Sequence, residues 1–202
     1  MQHRLPRELR IIAGEWRGRK LRFPDRPGIR PTPDRVRETL FNWIGARVRG
    51  VRALDLFAGS GALGLESLSR GALAATFVDS DARAVQALRE RLAEWDARGA
   101  TVERADARAW LAARRGATSP PFDLVFLDPP FAAGLLAGVA QDLEAGDWLA
   151  PAALVYLEAP SDGELPALPP GWELLRSGKA GAVGYHLLRR GGRLVVTESP
   201  TT

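Results

Sequence analysis

Five short apolar runs, at about 51–57, 74–79, 100–105, 123–128 and 152–158, alternate along the chain with four amphipathic stretches at about 61–70, 82–97, 107–115 and 134–145. A strand that is followed by a helix and then by another strand of the same sheet runs parallel to it, and such crossovers are right-handed. The alternation therefore predicts a parallel sheet with helices on both faces. Leu124 to Leu127 is apolar without interruption, as in a strand covered on both sides. After Pro160 the pattern changes. Ser161 to Gly171 reads as a Pro/Gly loop, and Trp172–Arg176 and Val183–Arg189 read as a closing pair of strands, with Gly178, Gly181 and Gly184 in or beside their connection. The 202 residues, 46% of them hydrophobic, suit one large domain or a domain with a small appendage.

The chemistry gathers where these strands end. The fourth run stops at Asp128-Pro129-Pro130-Phe131. Two prolines, which lack N–H donors and fix φ, take the chain out of the sheet there. The Asp128 carboxylate and the Pro129 carbonyl are both acceptors, so together they could hold the two N–H bonds of a planar exocyclic amine while Phe131 stacks on its ring. The plainer alternative is an Asp that caps the next helix and a Phe that packs in the core.

The first run ends in Leu54-Asp55-Leu56-Phe57-Ala58-Gly59-Ser60-Gly61-Ala62-Leu63-Gly64. Gly59 and Gly61 permit a tight turn and a close backbone approach to a ligand, and the following helix start favours an anionic group. Taken literally, the three glycines also match a dinucleotide fingerprint. Asp55, however, would repel a pyrophosphate and would suit an ammonium. Asp79, fifteen residues after Gly64, ends the second strand where a ribose diol would be held, and Asp106 ends the third, placed to accept from an adenine amino group. An ammonium, a ribose and an adenine in one groove describe S-adenosylmethionine better than NAD. Each acid alone could be a helix cap; four acids after four successive strands are harder to explain that way.

Ahead of this body lies a basic segment. Residues 1–49 contain 13 Arg or Lys and five acids, although the whole chain carries only +4. That asymmetry points to a polyanionic partner, most simply nucleic acid, though a solvated arginine-rich surface is the bland alternative. Leu9 to Phe23 reads as a hairpin with Arg17, Arg19, Lys20 and Arg22 on its rim. Trp16 there is available either to stack on a base or ribose or to pack on the body. Thr32-Pro33-Asp34 then predicts a helix start, with Thr32 as N-cap and Pro33 at the first helical position. Val36, Leu40, Trp43 and Ile44 should face the core, and Arg35, Glu38 and Asn42 should form the polar face.

With no cysteine there are no disulfides, thiolate metal sites or cysteine nucleophile, and two histidines argue against a histidine-built metal site, so no metal is expected. No secretory signal and no membrane-spanning stretch is visible, which leads to the expectation of a cytoplasmic location.

The motifs at Leu54–Gly64, Asp79, Asp106 and Asp128–Phe131 resemble those of class I methyltransferases that act on amino groups. Two N-terminal pieces narrow the resemblance: Arg10-Ile-Ile-Ala-Gly-Glu-Trp-Arg-Gly-Arg-Lys-Leu21 and Arg30-Pro-Thr-Pro-Asp-Arg-Val-Arg-Glu-Thr-Leu-Phe-Asn-Trp43. With them the chain is similar, from about residue 9 to 190, to the RsmD family, which methylates the exocyclic N2 of guanine 966 in 16S ribosomal RNA. The resemblance implies an α/β, Rossmann-like fold with a mostly parallel seven-stranded sheet, helices on both faces and an N-terminal β-hairpin arm. It divides the chain into an arm (1–29), a methyltransferase domain (30–190) and a tail (191–202). It implies S-adenosylmethionine contacts at Thr32, Asp55, Phe57, Gly59, Gly61, Asp79, Ser80, Asp106 and Ala107, and a target-base clamp at Asp128, Pro129, Pro130 and Phe131. RNA contacts are expected at Arg10, Trp16, Arg17, Arg19, Lys20, Arg22, Arg30 and Arg35. The implied partner is 16S rRNA within a small-subunit assembly particle, met by a monomer. From the residues alone, adenine-N6 methylation of DNA or RNA and a catalytically inactive nucleic-acid-binding protein remain open; an NAD-dependent oxidoreductase lacks an evident acid/base for hydride transfer.

Overall fold

A computed structural model describes residues 7–23, 32–114, 120–130 and 134–191. The expected parallel sheet is present. Strands β3 (Arg52–Asp55), β4 (Ala74–Asp79), β5 (Ala100–Arg104), β6 (Phe122–Leu127), β7 (Leu149–Pro160), β8 (Trp172–Ala180) and β9 (Val183–Arg190) form one sheet in the order β5-β4-β3-β6-β7-β9-β8. Only β9 runs against the other six. The parallel strands are joined through α2 (Ala62–Ser69), α3 (Ala82–Glu94), α4 (Ala107–Ala113) and α5 (Leu136–Ala145). The strand order reverses between β3 and β6, and in open α/β sheets a ligand crevice opens at such a point, beyond the carboxyl ends of the strands.

Two apolar layers enclose the sheet. One face packs Phe77, Phe126 and Tyr156 against α1 (Asp34–Ile44), α2 and α3; the other packs Val125, Leu127 and Leu157 against α4 and α5. The Leu124 to Leu127 run is buried throughout, as its unbroken apolar character requires. Both closing strands extend beyond their expected ends, and β7 begins earlier than its apolar run, because Pro151 and Ala152 interrupt the pattern without ending the strand.

The start of α1 departs from expectation. Pro33, not Thr32, is its N-cap residue, with no side-chain cap bond, and the helix begins at Asp34. The Thr32 hydroxyl donates to Glu158 Oε1 at 2.8 Å, a charge-assisted bond to a buried carboxylate that ties the residue to β7. Val36, Leu40 and Ile44 face the core as expected and Trp43 is half-buried, stacked on Tyr185 at 5.4 Å. Arg37 and Phe41 are buried with them, which the apolar pattern did not indicate for the arginine.

The hairpin β1 (Arg7–Arg10) and β2 (Lys20–Phe23) is paired antiparallel and fastened to α2. Glu66, fully buried, accepts from Ile12 N–H at 2.8 Å, Ala13 N–H at 3.0 Å and Arg70 Nε at 2.7 Å, and faces Arg37 Nη1 at 3.5 Å. Arg37 Nη2 donates onward to the Arg10 carbonyl at 2.8 Å and to Asp34 at 2.7 Å. The turn follows α2 to its end: Glu15 N–H donates to the Ser69 carbonyl at 2.8 Å and Trp16 N–H to Ser69 Oγ at 2.9 Å. Gly14 is required there, since at φ +86° a Cβ would stand 1.8 Å from the Ser69 carbonyl oxygen.

Candidate active site

Register brings the acids together. Asp55 pairs with Phe126 and Phe126 with Tyr156, while Leu127 pairs with Leu157. Side chains alternate along a strand, so Asp55, Phe126 and Tyr156 share a face, and Asp128 and Glu158 are the next residues to point that way on β6 and β7. Asp55 and Asp128 thus flank the point where strand order reverses.

Asp55 is 3% exposed and its Oδ2 accepts from Gly64 N–H at 3.2 Å. Burial first, and then the charge of Asp79, pushes its pKa up to about 7, against the backbone N–H groups of Gly64 and Phe57. The turn that follows is tight: Gly61 N–H donates to the Ala58 carbonyl at 2.6 Å, and Gly61, at φ +75°, is the N-cap of α2. Asp79 receives Gly59 N–H at 2.7 Å and Asp81 N–H at 2.8 Å, and so shapes the glycine turn from the neighbouring strand. Asp106 is exposed and caps α4 through Ala109 N–H at 3.0 Å. Ser80 is exposed, Phe57 half-buried and Ala107 buried.

At the end of β6, Asp128 is partly buried, Pro129 buried and Pro130 exposed. Burial, followed by the charges of Glu158 and Asp55, raises the Asp128 pKa well above the usual carboxylate range, while a Thr32 hydroxyl bond works the other way. Phe131 and Arg30 lie outside the described residues, as do the arm boundary near residue 29 and the tail from residue 192. Glu158 was not foreseen. It is 3% exposed, and its Oε1 accepts from the hydroxyls of Thr32 and Tyr156, both at 2.8 Å. It lies near the carboxyl end of the fifth parallel strand, β7, and so follows the same pattern as Asp55, Asp79, Asp106 and Asp128.

On the arm, Arg10, Arg17, Arg19, Lys20 and Arg22 are exposed, as is Arg35 on α1. Lys20 and Arg22 flank Glu8, at 2.9 and 3.5 Å, and the Lys20 contact leads in holding the Glu8 carboxyl below its usual range. Trp16 takes the packing role: it is 5% exposed, with its ring 5.4 Å from that of Trp95. Buried in this way, it presents no face on which a base could stack, and the stacking alternative is set aside for it. Arg19 and Arg91 lie over Trp95 at 5.5 and 5.7 Å, and a groove of about 780 Å³ runs between arm and α3, lined by Gly18, Arg19, Lys20, Arg22, Arg91, Glu94 and Trp95. The contribution of α3 to this basic surface is not apparent in the sequence, because Arg91 and Trp95 lie more than 60 positions from the arm.

A family model described as conserved hypothetical protein 95 matches residues 9–189. A curated relative from Escherichia coli strain K12, called ribosomal RNA small subunit methyltransferase D, is 48% identical over 183 residues, 91% of this chain and 90% of the relative. The chain belongs to the RsmD family. A second member, of the same name and from Haemophilus influenzae, is 41% identical over 180 residues, covering 89% of this chain and 93% of its own. A solved structure from Escherichia coli has a TM-score of 0.82 at 46% identity, over 91% of this chain and 98% of that one. The sheet order and its single antiparallel strand are therefore the family's methyltransferase fold, and the enzyme is a methyltransferase by kinship.

The donor set fits S-adenosylmethionine. Asp55 and Asp79 end β3 and β4, Asp106 lies between β5 and α4, and a Cβ at Gly59 would meet nothing nearer than a carbonyl at 3.9 Å, so space is open where the turn would approach a ligand. Among the described residues no cluster of His, Asp and Glu could hold a metal ion, and no helix is long and apolar enough to cross a membrane.

Proposed function

We propose that this protein methylates the exocyclic N2 of guanine 966 in 16S ribosomal RNA, with S-adenosylmethionine as methyl donor and a small-subunit assembly particle as substrate. The observation that carries the reading is the placement of Asp128 and Pro129 beside Asp55, across the reversal in strand order, in a chain whose relatives are named as small-subunit rRNA methyltransferases.

In this reading Asp55 faces the methionine ammonium, Asp79 the ribose hydroxyls and Asp106 the adenine, with Thr32, Phe57, Gly59, Gly61, Ser80 and Ala107 around them. When bound, S-adenosylmethionine supplies an electrophilic methyl group. The protein's task is to present the nitrogen. Guanine N2 is a poor nucleophile because its lone pair is delocalised into the ring. Asp128 and the Pro129 carbonyl accept its two N–H bonds, which fixes its direction and favours charge developing on nitrogen. Phe131 covers the base. The base must leave its stack to reach this strand end, and Arg10, Arg17, Arg19, Lys20, Arg22, Arg30 and Arg35, joined by Arg91, hold the surrounding phosphates. In this reading the protein acts as a monomer.

The test offers methyl-labelled cofactor with purified small subunits, naked 16S RNA and DNA, followed by digestion to nucleosides. N2-methylguanosine from ribosomal RNA is the expected product. Methyladenosine as the sole product would overturn the proposal in favour of the N6 reading, since Asp128 and Pro129 suit any planar amine.

A further inference from the structure

Glu158 has no part in the reading so far, yet it is the more deeply buried of two carboxyl groups at neighbouring strand ends. Its two hydroxyl partners come from different elements. Tyr156 lies on its own strand, and Thr32 immediately precedes the capping residue of α1. A buried carboxylate held by two hydroxyl donors keeps one orientation, and in a medium of low dielectric its charge is felt strongly by its neighbours. The groups that face the pair are Asp55 from β3, with Asp79 beyond it, Tyr156 on β7, Tyr185 on β9 and Thr32; among the described residues no cation contributes.

We propose that Glu158 is a positioning residue for the transfer, acting through Asp128: it fixes Thr32 at the pocket wall and keeps Asp128 a competent acceptor for the proton that the target amine gives up. The inference rests on the reading of Asp128 as the amine's partner. In the step concerned, an O–H bond forms at Asp128 as an N–H bond of the target nitrogen breaks, and the electron pair of that bond stays on nitrogen. The carboxylate becomes a carboxylic acid and later passes the proton to solvent. The division of labour follows from the donors. Burial raises both carboxyl groups and the Thr32 hydroxyl opposes this at each, but only Glu158 has the Tyr156 hydroxyl as well, which favours its charged form. Glu158 therefore keeps the negative charge, and that charge makes Asp128 the member that takes the proton.

Glu158→Gln keeps the size of the side chain and an acceptor for both hydroxyls and removes the charge. Asp128, followed by carboxyl-carbon NMR of the ligand-free protein, is expected to titrate about one pH unit lower. The acid limb of kcat/KM should move the same way, and kcat should fall about tenfold. Glu158→Asp, which keeps the charge, should restore most of the titration; equal shifts in both variants would mean that packing, not charge, sets it, and would overturn the proposal. An unmoved midpoint in Glu158→Gln would do the same. The unaltered protein gives a test free of any folding defect: the Asp128 and Glu158 carboxyl carbons must each respond across both steps of a coupled titration, and independent single steps would refute the role. Asp128→Asn separates the two levels. Full turnover in that variant removes the amine-clamp reading itself, whereas an inactive Asp128→Asn beside an unshifted Glu158→Gln removes only the role of Glu158.

Discussion

Two glutamates are buried among the described residues, Glu66 in α2 and Glu158 near the end of β7, and they are held in opposite ways. Glu66 has two backbone N–H groups and two arginines around its carboxylate, so its charge is matched within the fold. Glu158 has two hydroxyls, and its charged neighbours are acids. The difference separates structure from chemistry. A buried charge with cations and amides on every side is a finished joint, whereas acids crowded together under a low dielectric raise one another's proton affinity and stand ready for a ligand that brings positive charge or protons.

The contrast can be broken first at Glu66. Glu66→Ala should lower stability by about 3–5 kcal/mol in urea unfolding, because the buried Arg37 then loses one of its two carboxylate partners and the Ile12 and Ala13 N–H groups lose their acceptor. A loss below about 1 kcal/mol would show that the joint is not what holds the arm. Asp55 sharpens the other side of the comparison. Its folded pKa, near 7, lies above the unfolded value of about 4, so the folded state binds more protons between these limits. Its contribution is fully present below pH 4 and is lost as pH rises through 7. The ligand-free protein should therefore lose stability across that window, by an amount on the order of a few kcal/mol, and Asp55→Asn should flatten the profile. An unchanged slope in the variant would place the titration elsewhere. The smallest effect concerns the arm. Replacing Arg17, Arg19 and Arg22 together by Ala should make the dependence of log RNA affinity on log salt shallower by about 2, with thermal unfolding nearly unchanged. An unaltered salt slope would remove these residues from the phosphate grip.

What the sequence disclosed, and what it withheld, follows from how local each signal is. The βαβ alternation, the glycine turn and the acids at strand ends are properties of consecutive residues, and all are present. Thr-Pro-Asp is a strong local pattern for a cap at Thr32, and nothing local announces an acceptor 126 positions away. Arg37 carries no local sign of burial, since its partners Glu66 and the Arg10 carbonyl lie on other elements. Trp16 offered two roles that its neighbours in sequence could not separate; Trp95, brought in by α3, decides for packing. Glu158 alone was within reach of the pattern already in use.

The fastening of the hairpin to α2 has a metrical consequence. Gly61 begins that helix beside Asp55, and Ser69 ends it beneath the arm. Eight residues of helix are about 12 Å long and do not stretch. In the proposed function the helix is therefore a ruler between the grip and the place of reaction: an RNA held by the arm would be offered to the strand ends at one fixed distance, and the choice of nucleotide would be partly a measurement of length.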